Sequence, residues 1–283
     1  DEPGFGIWLA NFREIFMDEA ANAELSEYIA DRIRRRVKDL KVAEKLIPRD
    51  HGFGVQRLPL ETKYFEAYNR DNVHLVDISQ TPLVRITEKG LRTAERDYEF
   101  DIIVYATGFD AITGAYDLID IRGIAGETLA GKWKHAPSTF LGMLVHGFPN
   151  LLMPTGPQSA SASTNFPRGI ENGVNWCMDL LQYVWDHGYT RAEATLAAQD
   201  RWTAHVVKMY EIMLMRKAKS WFTGYNSNVA GHEEGTVRYF VYNGGTPKFV
   251  GIINDVAAKG YQEIEFSSGS RAKVHAAATN ASA

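Results

Sequence analysis

The stretch DIIVYATGFDAITG, from Asp101 to Gly114, constrains the fold more than any other part of the chain. Ile102, Ile103, Val104 and Tyr105 are apolar without alternation, which suits a strand buried on both faces. Such strands belong to sheets covered by helices, so an α/β architecture is expected. The strand runs into Ala106-Thr107-Gly108-Phe109, and in α/β folds ligands sit beyond the carboxyl ends of strands. Gly108 gives the backbone freedom to turn or to approach a ligand closely. By itself, ATGF fits a cofactor contact and a plain strand-to-loop turn alike.

The flanking sequence supplies the other elements. Apolar residues at three- and four-residue steps predict a helix over Glu14–Val42. Pro48, Gly52, Gly54 and Pro59 then enforce a loop that carries Arg49, His51, Gln56 and Arg57. A short helix is expected over Tyr64–Asn69 and a strand over Asn72–Ile78, followed by a β-meander turning at Lys89-Gly90. A second apolar strand, Leu151–Met153, breaks into a Gly/Pro/Ser-rich loop, GPQSASASTN, ending at Asn165. An amphipathic helix follows, with Ile170, Val174, Cys177, Leu180, Leu181 and Val184 on one side and Gly188 as its C′ cap. Thr190 and Glu193 have capping-box spacing and predict the start of another long helix. A strand over Val237–Tyr242 and a helix over Val250–Ala258 complete the reading, and residues from 271 form a small polar tail.

Several function classes are excluded on residue grounds. With 31 basic and 35 acidic residues, no single-sign field draws the chain to nucleic acid or anionic membrane. The single cysteine, Cys177, cannot form an internal disulfide and fits a reducing compartment. The first residues lack a signal-peptide pattern and no apolar run is long enough to span a bilayer, so a cytoplasmic location is expected. The Asn-Ala-Ser sequon at Asn280 is then a chance match. The eight histidines show no metal-ligand spacing, and SASAS lacks the GxSxG elbow of a hydrolase. Cys177 reads as a buried thiol.

Two residues remain as candidates for chemistry. Arg57 is a fixed cation in a Gly- and Pro-bounded loop, suited to an oxyanion or phosphate, although a surface cation is the commoner fate of an arginine. Trp221 opens the glycine- and asparagine-rich segment SWFTGYNSNVAG and could offer a flat face to a ligand or pack into the core. Gly224, Asn226 and Gly231 would let that segment move.

Taken together and in order, LIPRDHGFGVQRLPLETKYFEAYNRDNVHLVD, YATGFDAITGAYDLIDIRG, GFPNLLMPTGPQSASASTN, SWFTGYN and YNGGTPKFVGIINDVAAKGY resemble the carboxy-terminal half of Baeyer–Villiger monooxygenases of the phenylacetone and cyclohexanone type. The likeness runs from about Phe12 to Phe266. It implies an enzyme with FAD and NADP(H) that inserts one oxygen of O2 beside a ketone to give an ester or lactone, through a peroxyflavin. Arg57 matches the arginine that stabilises the peroxyflavin anion and the oxyanion of the ketone adduct. Trp221 matches the tryptophan that packs on the nicotinamide cofactor. Thr107, Gly108 and Phe109 match the flavin-domain ATGF, and Asn165 and Phe166 match the end of the loop beside the flavin ring. Ser161, Ala162 and Ser163 match a bulge of the substrate pocket, with Met143 a further pocket candidate.

The sequence departs from the family in two places. Gln56 stands where relatives often carry a lysine for the 2′-phosphate of NADP, so discrimination against NAD is open. The family's two GxGxxG loops and its FxGxxxHxxxW fingerprint do not occur here. GFGVQR lacks the third glycine and follows no strand. The chain therefore reads as a fragment that needs an amino-terminal FAD- and NADP-binding segment and is inactive alone. By the family pattern, residues 1–50 are helical-domain material, 51–100 end the NADP-binding domain, 101–270 form the carboxy-terminal part of the Rossmann-like FAD-binding domain, and 271–283 are a tail. Two alternatives stay open: a flavin monooxygenase acting mainly on sulfides or amines, and a non-catalytic isolated half.

Overall fold

The computed structural model describes residues 12–160, 165–230, 232, 237–239 and 241–268. They fall into two compact units, Asp1–Phe109 and Asp110–Ala283.

In the first unit, the apolar steps expected to make one long helix make two. Helix α1 (Glu19–Arg36) starts at Asp18, whose side chain accepts from Ala21 N at 2.8 Å, and ends at Val37, which turns extended. Helix α2 (Leu40–Leu46) starts at Asp39, which accepts from Lys41 N at 2.8 Å. The break has clear local causes. Asp39 serves as an N-cap, a role that competes with an interior helical position. Asn69 covers the end of α1, donating to Arg36 O and accepting from Lys38 N, each at 2.7 Å. Val37 is thereby buried with Ala30, Ile33, Ala43 and Ile47 in a small core between the two helices.

A one-turn helix, α3 (Tyr64–Ala67), lies where a short helix was expected. The meander also forms as expected: β1 (Leu83–Thr87), β2 (Gly90–Thr93) and β3 (Asp97–Glu99) pair antiparallel in that order, with Ile86 opposite Leu91 and Leu91 opposite Tyr98. Gly90 is obligatory, because a Cβ there would overlap the Tyr98 carbonyl.

Four expected strands, Asn72–Ile78, Ile102–Tyr105, Leu151–Met153 and Val237–Tyr242, belong to no ladder among the described residues. For Ile102–Tyr105 the sequence is strand-like, but no described neighbour pairs with it. Ile102 and Val104 are each 80% exposed. A strand is defined by its partner as much as by its own residues.

The second unit is built on helix α4 (Phe166–Asp186), helix α5 (Leu196–Glu211) and helix α6 (Thr246–Ala258). Its core includes Trp176, Cys177 and Leu180 of α4, Trp202, Val206 and Tyr210 of α5, and Phe249 and Ile253 of α6. The Trp176 indole donates to Ile253 O at 2.8 Å and ties α4 to α6. Gly188 takes φ +67° just past α4, the C′ role read from sequence. Burial pushes the Cys177 thiol up to about 11, as expected of an inert thiol in an apolar wall.

The capping-box expectation at Thr190 and Glu193 does not hold. Arg191–Ala194 is strand β4, paired antiparallel with β5 (Ile264–Ser267), and α5 begins at Thr195, whose hydroxyl accepts from Ala198 N at 3.1 Å. Ala192 and Ala194 are buried, and Glu193 is needed elsewhere: its carboxylate accepts from Gly147 N at 2.7 Å. The amphipathic reading of α4 also needs correction. Cys177 and Leu180 are buried, whereas Ile170, Val174 and Leu181 are exposed, together with Met178 and Trp185.

Candidate cofactor and substrate site

Arg57 lies in the loop between α2 and α3, and side chains of α1 hold that loop. Asn22, only 4% exposed, donates both amide protons, to Ile15 O at 2.6 Å and to Phe53 O at 2.9 Å. Phe53 N donates to Ser26 Oγ at 2.8 Å, and that hydroxyl donates to Asn22 O at 2.7 Å. Gly54 then turns with φ +71°, and Val55, which is buried, donates to Gly52 O at 3.3 Å. Gln56 and Arg57 follow immediately and are half-buried.

The far end of the loop is held by charge. Arg36 donates to both carboxylate oxygens of Glu66, at 2.7 and 2.8 Å, pairs with Glu61 at 2.8 Å and lies 5.0 Å from the centre of the Phe65 ring. The Arg36 hydrogen bonds pull the Glu66 carboxyl down to about 2 and lower Glu61 as well. Beside the loop is a mostly apolar cavity of about 550 Å³, lined by Ile29, Ile33, Pro48, Leu58 and Phe65 among others.

Thr107, Gly108 and Phe109 are exposed and follow the unpaired Ile102–Tyr105 stretch. Gly108 has φ +86° with no heavy atom within 4 Å of where a Cβ would stand, and Phe109 is 94% exposed. A flat ring or a phosphate can therefore reach this backbone.

In the second unit, Asn165 is the N-cap of α4 and makes no side-chain capping bond. Its neighbour Phe166 is exposed. Pro167 has no N–H and Gly169 N donates to Asn165 O at 3.0 Å, so what this end offers an electron-rich carbonyl or an anion is the positive end of a 21-residue helix. Ser161, Ala162 and Ser163 lie outside the described residues. The loop leading to them is anchored by Gln158, a wholly buried amide in a left-handed backbone (φ +68°). Its Oε1 accepts from Thr139 N at 3.1 Å and Thr139 Oγ1 at 2.9 Å, and its Nε2 donates to Pro137 O at 2.9 Å. Met143 is wholly buried in the main core, and its carbonyl accepts from Met153 N at 3.0 Å.

Trp221 is half-buried and opens a single 3-10 turn, Trp221–Thr223, capped by Ser220. The buried Tyr210 hydroxyl donates to Phe222 O at 2.8 Å, and Thr223 Oγ1 donates to Ser220 O at 2.8 Å. Gly224 closes this turn with φ +78°, its would-be Cβ within 2.8 Å of Arg238 Cβ. It is a tight cap and not the free hinge read from sequence, and Gly231 lies outside the described residues.

Sequence reasoning missed Asn22, Ser26 and Gln158. The first two carried a signal: positions 22, 26, 29, 33 and 37 lie along one helical face, and only its first two members are polar. It also missed a buried cluster around Arg238, which donates to Trp133 O at 3.0 Å and contacts His232. His232 lies 3.6 Å from Asp110. Burial lowers the Arg238 guanidinium from its usual value.

The chain is 41% identical over 268 residues to the 2-oxo-Δ3-4,5,5-trimethylcyclopentenylacetyl-CoA monooxygenase of Pseudomonas putida, covering 93% of this chain and 48% of that protein. It is 41% identical over 260 residues to the cyclopentanone 1,2-monooxygenase of Comamonas sp. (strain NCIMB 9872), covering 91% and 46%. The crystal structure of OTEMO in complex with FAD and NADP superposes with a TM-score of 0.84 at 41% identity, covering 94% of this chain and 48% of that one. The chain is homologous, over nearly its whole length, to a part of the Baeyer–Villiger monooxygenases. It spans about half the length of the curated relatives it matches. No protein-family profile matches it. Among the described residues no helix is long and apolar enough to cross a membrane, and no group of three or more His, Cys, Asp or Glu could hold a metal.

Proposed function

We propose that the protein carrying this chain is an FAD- and NADPH-dependent Baeyer–Villiger monooxygenase. It converts a ketone, O2, NADPH and a proton into an ester or lactone, NADP+ and water. The observation that carries this reading is the match, along nearly the whole chain, to a structure that holds both FAD and NADP. Bound FAD supplies the activation of dioxygen. The chain's own residues bind, orient and stabilise charge. The Arg57 guanidinium offsets the negative charge that develops on the ketone oxygen. Thr107, Gly108 and Phe109 are assigned to the flavin, an assignment that the open backbone at Gly108 supports, and Asn165 and Phe166 are assigned to it separately. Trp221 gives the nicotinamide a flat face on a rigid turn. Ser161, Ala162, Ser163 and Met143 are assigned to the ketone pocket. Gln56, an uncharged amide, weakens selection of NADP over NAD.

The phosphate-cradling glycine loops expected of this family are absent from the sequence and would lie in the part of the relatives this chain does not match. We assign 1–50 to a helical domain, 51–100 to the NADP-binding domain, 101–270 to the FAD-binding domain and 271–283 to a tail, in a cytoplasmic enzyme. The isolated chain should show no flavin absorbance. The test is Arg57→Ala in the complete enzyme, assayed for ester from a cyclic ketone with FAD still bound. Undiminished ester would defeat the reading. A thioether run in parallel separates ketone oxidation from a mainly sulfide-oxidising enzyme.

A further inference from the structure

The loop that carries Arg57 is held by polar contacts more than by packing. One side of it borders the apolar cavity of about 550 Å³, so close packing does not fix its course there. Instead, both main-chain groups of Phe53 are taken by side chains of α1, with the carbonyl on Asn22 Nδ2 at 2.9 Å and the N–H on Ser26 Oγ at 2.8 Å. Gly52 completes the arrangement, because a Cβ there would overlap Asn22 Oδ1. Only the turn at Gly54, the buried Val55 and Gln56 separate this clamp from Arg57, which leaves little slack. Downstream, Arg36 holds Glu61 and Glu66. Arg57 thus sits between two fixed points on the same helix.

We propose that Asn22 and Ser26 are positioning residues that set where the Arg57 guanidinium stands, an inference that rests on the role proposed above for Arg57. The two bonds to Phe53 have ordinary lengths and the Asn22 side chain is itself buried, so deleting a partner frees the loop instead of shifting it to an equivalent set of bonds. Small displacements of a charge that acts on a developing oxyanion carry large kinetic effects, on the order of 10²-fold for 1 Å.

The experiment uses the complete FAD-loaded enzyme with NADPH and a cyclic ketone, in the variants Asn22→Ala, Ser26→Ala, Gly52→Ala and Ser26→Thr. Hydrogen exchange of the Phe53–Arg57 amides is read beside coupling, the ester formed per NADPH oxidised. The first three variants should speed exchange at least about tenfold, the range expected when local bonds that hold a loop are removed. Coupling should fall about threefold or more, with hydrogen peroxide making up the balance, while flavin content is retained. Ser26→Thr, which keeps the hydroxyl, should restore both. Unchanged exchange, or faster exchange with full coupling, overturns the proposal. If Asn22→Ala does not accumulate, Ser26→Ala carries the test, since it truncates only a half-buried hydroxyl. Arg57→Ala run alongside separates the failures. Ester from that variant defeats the Arg57 reading, whereas its loss with fully coupled clamp variants defeats only the positioning role.

Discussion

The first unit holds two stretches matched to the cofactor site, and they are stabilised in opposite ways. The arginine loop is bound at one end by Asn22 and Ser26 and at the other by Arg36, all from one helix. The ATGF stretch is exposed and belongs to no ladder among the described residues. Local hydrogen bonds can set a loop from within its own neighbourhood. A strand buried on both faces needs a sheet, and its order is only as good as that sheet.

The largest break in this comparison comes from Arg57→Ala. Ester formation should fall at least about 10²-fold, the scale of losing one preorganised charge or donor at a developing oxyanion, and product analysis by gas chromatography checks it. Next is Val104→Asp. In the isolated chain it should shift urea unfolding by no more than about 0.5 kcal/mol, since an exposed site tolerates a polar residue. In the complete enzyme it should abolish flavin retention, read from absorbance after gel filtration. A large loss of stability in the isolated chain would show that the stretch is already partnered. Gln158→Ala should cost about 3 kcal/mol, because the buried Thr139 N–H and the Pro137 carbonyl lose their partner. Denaturant unfolding followed by tryptophan fluorescence measures it.

The smallest effect is pH-dependent. Glu66 has its folded value lowered from 4.5 to about 2 by Arg36. A lowered carboxyl value means stabilisation that is complete above the unfolded value and is lost as pH falls through the folded one. The stability gap between the wild-type chain and Glu66→Gln should therefore be widest above about pH 4.5 and close toward pH 2. A gap that widens on acidification would contradict the ion pair at the far end of the loop.

How much of this was legible follows from which forces are local. The hairpin turn, read one residue late at Lys89-Gly90 and found at Glu88-Lys89, the C′ role of Gly188 and the helix ending at Ala258 were readable because turn residues, glycine and apolar spacing act over a few residues. Thr190 and Glu193 misled because their spacing imitates a capping box, while the deciding partners, β5 and the Gly147 N–H, lie far away in sequence. In the candidate site, Arg57 and Trp221 were singled out through their motif neighbours. The Gln158 knot has no such signal, since its partners Pro137 and Thr139 become neighbours only when the chain folds.

One feature of α4 bears on how the chain behaves in a tube. Ile170, Val174, Met178, Leu181 and Trp185 form an oily ridge roughly 22 Å long at helical rise, on a molecule with net charge of only −4. Ridges of this kind drive self-association long before anything unfolds. Sulfate should cloud the purified chain while its circular dichroism stays intact, and a charged residue at Met178 should clear it.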